Sequence, residues 1–114
     1  MTYQKELLKG NTESLLLALL ATESMYGYQL VKEIDRRSSG YFQFKEGTLY
    51  PALHRLERAM LIKGTWRGSP IGQQRRYYFI TQKGTGELLR KTGEWRDFSR
   101  AVDLVMKPYP EIAR

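Results

Sequence analysis

The sequence predicts a mainly α fold with a small β-hairpin: a winged helix–turn–helix followed by a long C-terminal dimerisation helix. Three observations predict it. Three short segments with helical apolar spacing come first. A pair of strand-like segments around Gly68-Ser69-Pro70-Ile71-Gly72 follows. One long helical segment with a seven-residue apolar repeat closes the chain. Three helices followed by a hairpin is the winged-helix order, with the hairpin as the wing.

Each element has a local cause. Tyr3–Lys9 can form a short helical turn ending near Gly10, and Asn11 or Thr12 then caps a helix to about Thr22. Ser14–Ala21 is apolar nearly all round, which predicts burial on more than one side. A second helix follows Gly27 and runs to about Arg37, with Leu30 and Ile34 inward and Ser38-Ser39-Gly40 as its stop. A third spans roughly Thr48–Met60, with Leu49, Ala52, Leu53, Leu56 and Met60 on one stripe. Thr48 suits its N-cap, and Pro51 suits its first turn, where a missing N–H costs little. The period then changes, and Leu61–Arg67 and Gln74–Thr81 read as strands. Thr81 caps a last helix over Lys83–Met106, stopped by Pro108 and Pro110. At 1.5 Å per residue it is roughly 36 Å long. The expected division is 1–81 for the winged domain and 82–114 for the dimerisation helix and tail.

Charge is the first functional signal. The 114 residues carry a net charge of +7. Residues 47–86 alone hold +6, from seven basic side chains and the single acid Glu57. A basic stretch this concentrated marks an anionic partner, nucleic acid or a membrane surface. A strand hairpin interrupts the stretch, which is not one amphipathic helix, so the membrane reading is the weaker. The longest apolar run, Leu15–Ala21, is far too short to span a bilayer. There is no cysteine, one histidine, no glycine-rich phosphate loop and no metal-ligand cluster. No catalytic residue, metal or cofactor is therefore expected, and the protein does not read as an enzyme. The absence of a secretory leader and of cysteine fits a cytoplasmic location.

With its leucines inward, the third helix turns Gly47, Pro51, His54 and Arg58 outward, with Thr48 and Arg55 on one flank and Tyr50 on the other. Hydroxyls, one histidine and two arginines on one helix face suit a DNA groove. Thr48 as an N-cap would instead spend its hydroxyl on the backbone, and Tyr50 is either a contact or a packing residue. At the wing, Arg67 precedes the turn and Gln73, Gln74, Arg75 and Arg76 follow it, where they can reach phosphates or the minor groove. Tyr77, Tyr78 and Phe79 read as sheet and core. The candidate DNA-binding residues are thus Thr48, Tyr50, Pro51, His54, Arg55, Arg58, Arg67, Gln73, Gln74, Arg75 and Arg76. The alternative is a winged-helix module that binds only protein, which has no need of paired basic signals on helix and wing.

On the last helix Leu88, Trp95 and Val102 stand seven apart, as do Lys91, Phe98 and Val105. Apart from Lys91 this is a coiled-coil seam, which on a long terminal helix more often faces a partner, the alternative being packing on its own domain. Leu88, Trp95, Phe98, Val102 and Val105 are the expected homodimer interface, with the first helix as a candidate for its other side. Trp95 lies mid-seam, so twofold symmetry brings it near its own copy. Two facing indoles make an apolar slot for a flat aromatic or amphipathic effector, lined further by Phe98, Ser99 and Val102. The alternative is that Trp95 only packs.

Three motifs now connect the chain to a family. Met25-Tyr26-Gly27-Tyr28-Gln29-Leu30, Gly47-Thr48-Leu49-Tyr50-Pro51-Ala52-Leu53-His54-Arg55-Leu56-Glu57 and Arg76-Tyr77-Tyr78-Phe79-Ile80-Thr81-Gln82-Lys83-Gly84 occur in order. In these the chain resembles the PadR family of bacterial transcriptional regulators, over about Thr12 to Val105. The single C-terminal helix resembles the compact subfamily. The resemblance implies a homodimeric repressor that binds a palindromic operator and is released by a small effector. It also puts a tryptophan at the Trp95 position in members that bind planar drugs between subunits. One departure stands out: the family often has Gly-Arg or Gly-Gly before its basic-Tyr-Tyr run, where this chain has Gly72-Gln73-Gln74-Arg75. Wing-tip contacts therefore transfer less directly than those of the third helix.

Overall fold

In the computed structural model, which describes residues 11–110, the elements follow in the expected order, with one addition. They are α1 (Thr12–Leu20), β1 (Met25–Tyr26), α2 (Gly27–Arg37), α3 (Glu46–Arg58), β2 (Ile62–Gly68), β3 (Gln74–Ile80) and α4 (Gln82–Met106). The helical turn expected at Tyr3–Lys9 lies outside the described residues. The addition is β1, which makes the wing part of a three-stranded antiparallel sheet in the order β1-β3-β2. Met25 pairs with Tyr78 and Tyr26 with Tyr77. Two residues carry no alternation, so nothing in the sequence signals this strand.

The core is a single cluster. Leu16, Leu17, Leu19 and Leu20 of α1 meet Leu30 and Ile34 of α2, and Leu49, Ala52, Leu53 and Leu56 of α3. Met25, Ile62 and Tyr78 close it from the sheet. Each buried large side chain contributes about 1.5–3 kcal/mol against leaving it in water. The expected inward stripe of α3 is right except at its end. Met60 is 62% exposed, because α3 stops before it and Met60 takes a left-handed φ of 64°. The Met60 N–H donates to the Glu57 carbonyl and the Leu61 N–H to the Leu56 carbonyl, both at 2.9 Å. This is a Schellman end, built on methionine where glycine is usual. Residues 35–40 end α2 the same way, with Ser39 left-handed at φ 53°.

The start of α3 also differs from expectation. Its N-cap is Lys45, with an extended backbone and no side-chain capping bond, so Thr48 sits inside the first turn. Pro51 is consequently the sixth helical residue and not in the first turn. Its missing N–H frees the Gly47 carbonyl from the helical ladder.

The junction between sheet and α4 is tightly specified. The Thr81 hydroxyl caps α4 by accepting from the Gly84 N–H at 3.0 Å. It also lies 2.8 Å from the Met60 carbonyl oxygen and 3.0 Å from that of Leu61. The Lys83 ammonium donates to the Ala59 carbonyl at 3.1 Å, placing a cation at the C-terminus of α3. Leu88 packs on the core. Past it α4 runs on, presenting Trp95, Phe98 and Val105 at 56%, 63% and 84% exposure.

Candidate nucleic-acid interface

The outward face of α3 holds the residues expected there. Gly47, Thr48, Pro51, His54, Arg55 and Arg58 are all exposed. The carboxylates around them are engaged. Glu13 of α1 accepts from Arg55 at 2.6 Å. Glu57 accepts from Arg76 at 2.6 Å. Glu46 accepts from the Tyr50 hydroxyl at 3.3 Å. The face therefore presents hydroxyl, imidazole and guanidinium groups, with Glu13 and Glu57 paired to arginines and Glu46 hydrogen-bonded to Tyr50.

Tyr50 belongs more to the scaffold than the sequence indicates. Its ring lies against Gly27, where an added Cβ would sit 2.9 Å from the hydroxyl oxygen. Burial, then the adjacent Glu46, raises its pKa above the ordinary tyrosine value, so the phenol stays a donor. Gly27 opens α2 and is buried. A glycine there lets α2 and α3 approach closely across the helix–turn–helix.

The wing divides its residues between two faces, because successive strand residues alternate. Arg67, Arg75 and Tyr77 share one face with Tyr26. Arg67 lies over the Tyr77 ring at 4.6 Å, and Arg75 over the Tyr26 ring, also at 4.6 Å. The two tyrosines meet edge to face at 5.3 Å. Each cation–π contact contributes roughly 0.5–1 kcal/mol at an exposed site. Each of the two tyrosine rings thus carries a guanidinium over it. Arg76 is on the other face with Tyr78, turned toward α3, and its bond to Glu57 keeps it firmly protonated. Sequence reasoning grouped Arg76 with the tip residues; the strand register separates it from them.

The tip itself is a tight turn. The Ser69 N–H donates to the Gln73 carbonyl at 2.7 Å and the Gly72 N–H to the Ser69 carbonyl at 2.9 Å. Gly72 takes a φ of 87°, a conformation that favours glycine. Gln73 and Gln74 are exposed beside it.

The sequence and fold of this chain match a known set of proteins. A family model described as the transcriptional regulator PadR-like family matches residues 16–90. The chain belongs to the PadR-like family. A relative from Lysinibacillus sphaericus, itself an uncharacterised protein, is 33% identical over 104 residues, covering 91% of this chain and 95% of its own. The solved PadR-like transcriptional regulator of Bacillus cereus is similar at 32% identity and a TM-score of 0.79, covering 90% of this chain and 97% of its own. A transcriptional regulator from Clostridium thermocellum aligns at 30% identity and a TM-score of 0.80, over 90% and 96% of the two chains. Membership makes this PadR-like chain a DNA-binding transcriptional regulator with the mainly α, winged-helix fold. Among the described residues no helix is long and apolar enough to cross a membrane.

The candidate dimer and effector residues lie elsewhere, on α4. Trp95 and Phe98 stack at 6.0 Å between ring centroids. They line a groove of about 860 Å³ with Leu15 and Ala18 of α1, Phe42 and Leu88. Ser99 donates its hydroxyl to the Trp95 carbonyl at 2.7 Å, so it is spent on the helix backbone. Ser99 and Val102 lie outside that groove. Most of the apolar surface of α1 faces its own core, leaving Leu15 and Ala18 toward α4.

Proposed function

We propose that this PadR-like protein is a repressor that binds a palindromic operator as a homodimer. In this reading 1–81 is the DNA-binding unit and 82–114 holds the two subunits together. The observation that carries the docking mode is the exposed α3 face of Thr48, Pro51, His54, Arg55 and Arg58, with Glu13 and Glu57 beside it paired to arginines. That face enters the major groove. Arg58 holds phosphate or guanine, His54 and Thr48 bond base edges, and the freed Gly47 carbonyl offers an acceptor. Arg67 and Arg75 hold phosphates beside the groove, with Gln73 and Gln74 at the tip. Arg55 is poised on the flank and exchanges Glu13 for phosphate on binding.

The test is affinity against salt, on a duplex that the unmodified protein selects from a random pool. Each lost phosphate contact lowers the slope of log affinity on log salt by about 0.9. Arg75→Ala is expected to do this and to weaken all sequences alike. Thr48→Ala is expected to alter sequence preference instead. If Arg58→Ala and Arg75→Ala both left affinity unchanged at moderate salt, this docking mode would be wrong.

The groove beside Trp95 supports a second part of the reading: a flat aromatic effector held between subunits. Such a ligand favours one subunit separation and so one spacing of the α3 helices, which is how it would release DNA. Titration of planar aromatics against Trp66→Phe, where Trp95 alone reports, is expected to quench emission. Constant emission across a broad panel, with no compound changing DNA affinity, would mean that regulation runs by another route.

A further inference from the structure

We propose that Arg76 and Glu57 form a strut fixing the wing against α3, which makes Arg76 a positioning residue and not a phosphate ligand. The inference rests on the docking mode above and concerns one contact that the charge pattern misassigns. Three independent features of the structure support it.

The first is where Arg76 stands. β1 pairs with β3 only at Tyr77 and Tyr78. Beyond them the pairs Trp66–Arg76, Arg67–Arg75 and Gly68–Gln74 form a two-stranded ribbon. Isolated ribbons are marginally stable, so the outer wing needs a tie to the body. Arg76 is the first β3 residue past the end of the pairing with β1. The second feature is its bond to α3. Its Nη2 donates to Glu57 Oε2 at 2.6 Å, and the two side chains are 31% and 22% exposed. Glu57 is the one carboxylate in residues 47–86, the most basic part of the chain. The third feature is the path between them. The guanidinium crosses over Gly64, where an added Cβ would lie 2.6 Å from Arg76 Cζ. The Trp66 and Tyr78 rings flank it, each 5.8 Å from the guanidinium carbon. A missing side chain on β2 and an acid in the last turn of α3 thus hold one arginine between the two DNA-facing elements.

The consequence is preorganisation. α3 and the wing must engage DNA together, and a wing held at a set offset loses less freedom on binding. The competing assignment, Arg76 as a phosphate ligand that Glu57 merely parks, predicts the opposite sign for one variant. Removing Glu57 makes the protein more positive and would release Arg76 to the DNA.

The experiment uses the full chain and the selected duplex, by fluorescence anisotropy over a salt series. Glu57→Ala and Arg76→Ala are each expected to weaken binding by about tenfold, and the double variant by no more than either, since they break one contact. The salt slope is expected to stay unchanged in all three. Gly64→Ala keeps both charges and displaces the guanidinium, so it is expected to weaken binding by a similar factor. Thermal melting checks that each variant is folded; Glu57→Ala, which adds no atoms to a half-buried site, decides the matter alone if Gly64→Ala does not fold. Released from Arg76, Trp66 is expected to gain rotational freedom, read as lower indole anisotropy in a Trp95→Phe background. Unchanged or tighter binding by Glu57→Ala, or a slope lowered by about 0.9 in Arg76→Ala, overturns the strut. Arg58→Ala and Arg75→Ala run beside these: if neither weakens binding, the docking mode has failed and the strut with it. If they weaken binding while Glu57→Ala tightens it, only the strut has failed.

Discussion

Trp95→Ala combined with Phe98→Glu is expected to turn the protein into folded monomers that bind operator DNA weakly. The two rings stand exposed and stacked on α4, beyond the part that Leu88 anchors to the core. Their removal therefore costs the isolated subunit little. In a dimer the same change puts a carboxylate into an apolar seam, where an unpaired charge is strongly unfavourable. DNA binding suffers next, because two half-sites need two linked α3 helices. Losing that linkage removes an avidity gain on the order of 10²- to 10⁴-fold. Light scattering gives the mass and anisotropy the affinity. A monomeric unmodified protein at micromolar concentration would sink the dimer, as would a double variant that still binds the operator at full strength.

What the sequence shows well is what period and charge encode. The spacing of Leu49, Ala52, Leu53 and Leu56 predicts α3 and its inner face, and the core confirms it. Thr81 as cap and Pro108 as stop predict α4 within a residue of Gln82–Met106. The misses have a common cause: they depend on what lies across space. Met60 fits the helical stripe, but the stripe says nothing of where the helix turns left-handed. β1 is two residues long and exists because β3 offers it an edge. Thr48 carries good capping chemistry, yet the helix starts earlier, after Lys45. Arg75 and Arg76 look alike as neighbours, and only the strand register sends one to Tyr26 and the other to Glu57. Alternation alone does not separate them, since Tyr77 and Tyr78 both read as sheet and core and stand two residues from Arg75 and Arg76 respectively. Glycine roles are the least legible. Gly27, Gly64 and Gly84 are needed for contacts with Tyr50, Arg76 and Leu61, partners that no local pattern names.

Gly84→Ala is expected to be among the most destabilising single changes in the chain. Glycine inside a helix normally costs stability, so alanine should help there by up to about 1 kcal/mol. At Gly84 the surroundings reverse the sign. The residue is buried in the first turn of α4. An added Cβ would overlap the Leu61 carbonyl oxygen and lie 2.8 Å from Ile80 Cγ1. The first obstacle is backbone, and it cannot rotate away. That carbonyl is also fixed, since it accepts from the Thr81 N–H at 3.0 Å. Relief therefore requires α4 to move off the sheet, breaking the Thr81 cap and the Leu88 contact with the core. Overpacking costs about 1–3 kcal/mol where side chains give way, and a rigid backbone neighbour puts this case at or above the upper end. Gly93→Ala is the control on the same helix: nothing lies within 4 Å of its added Cβ. It is expected to raise stability by several tenths of a kcal/mol. Urea unfolding at one fixed protein concentration compares the two, because association would make the midpoint depend on concentration. Equal midpoints for Gly84→Ala and the unmodified protein would mean that α4 does not dock on Leu61 as the structure has it.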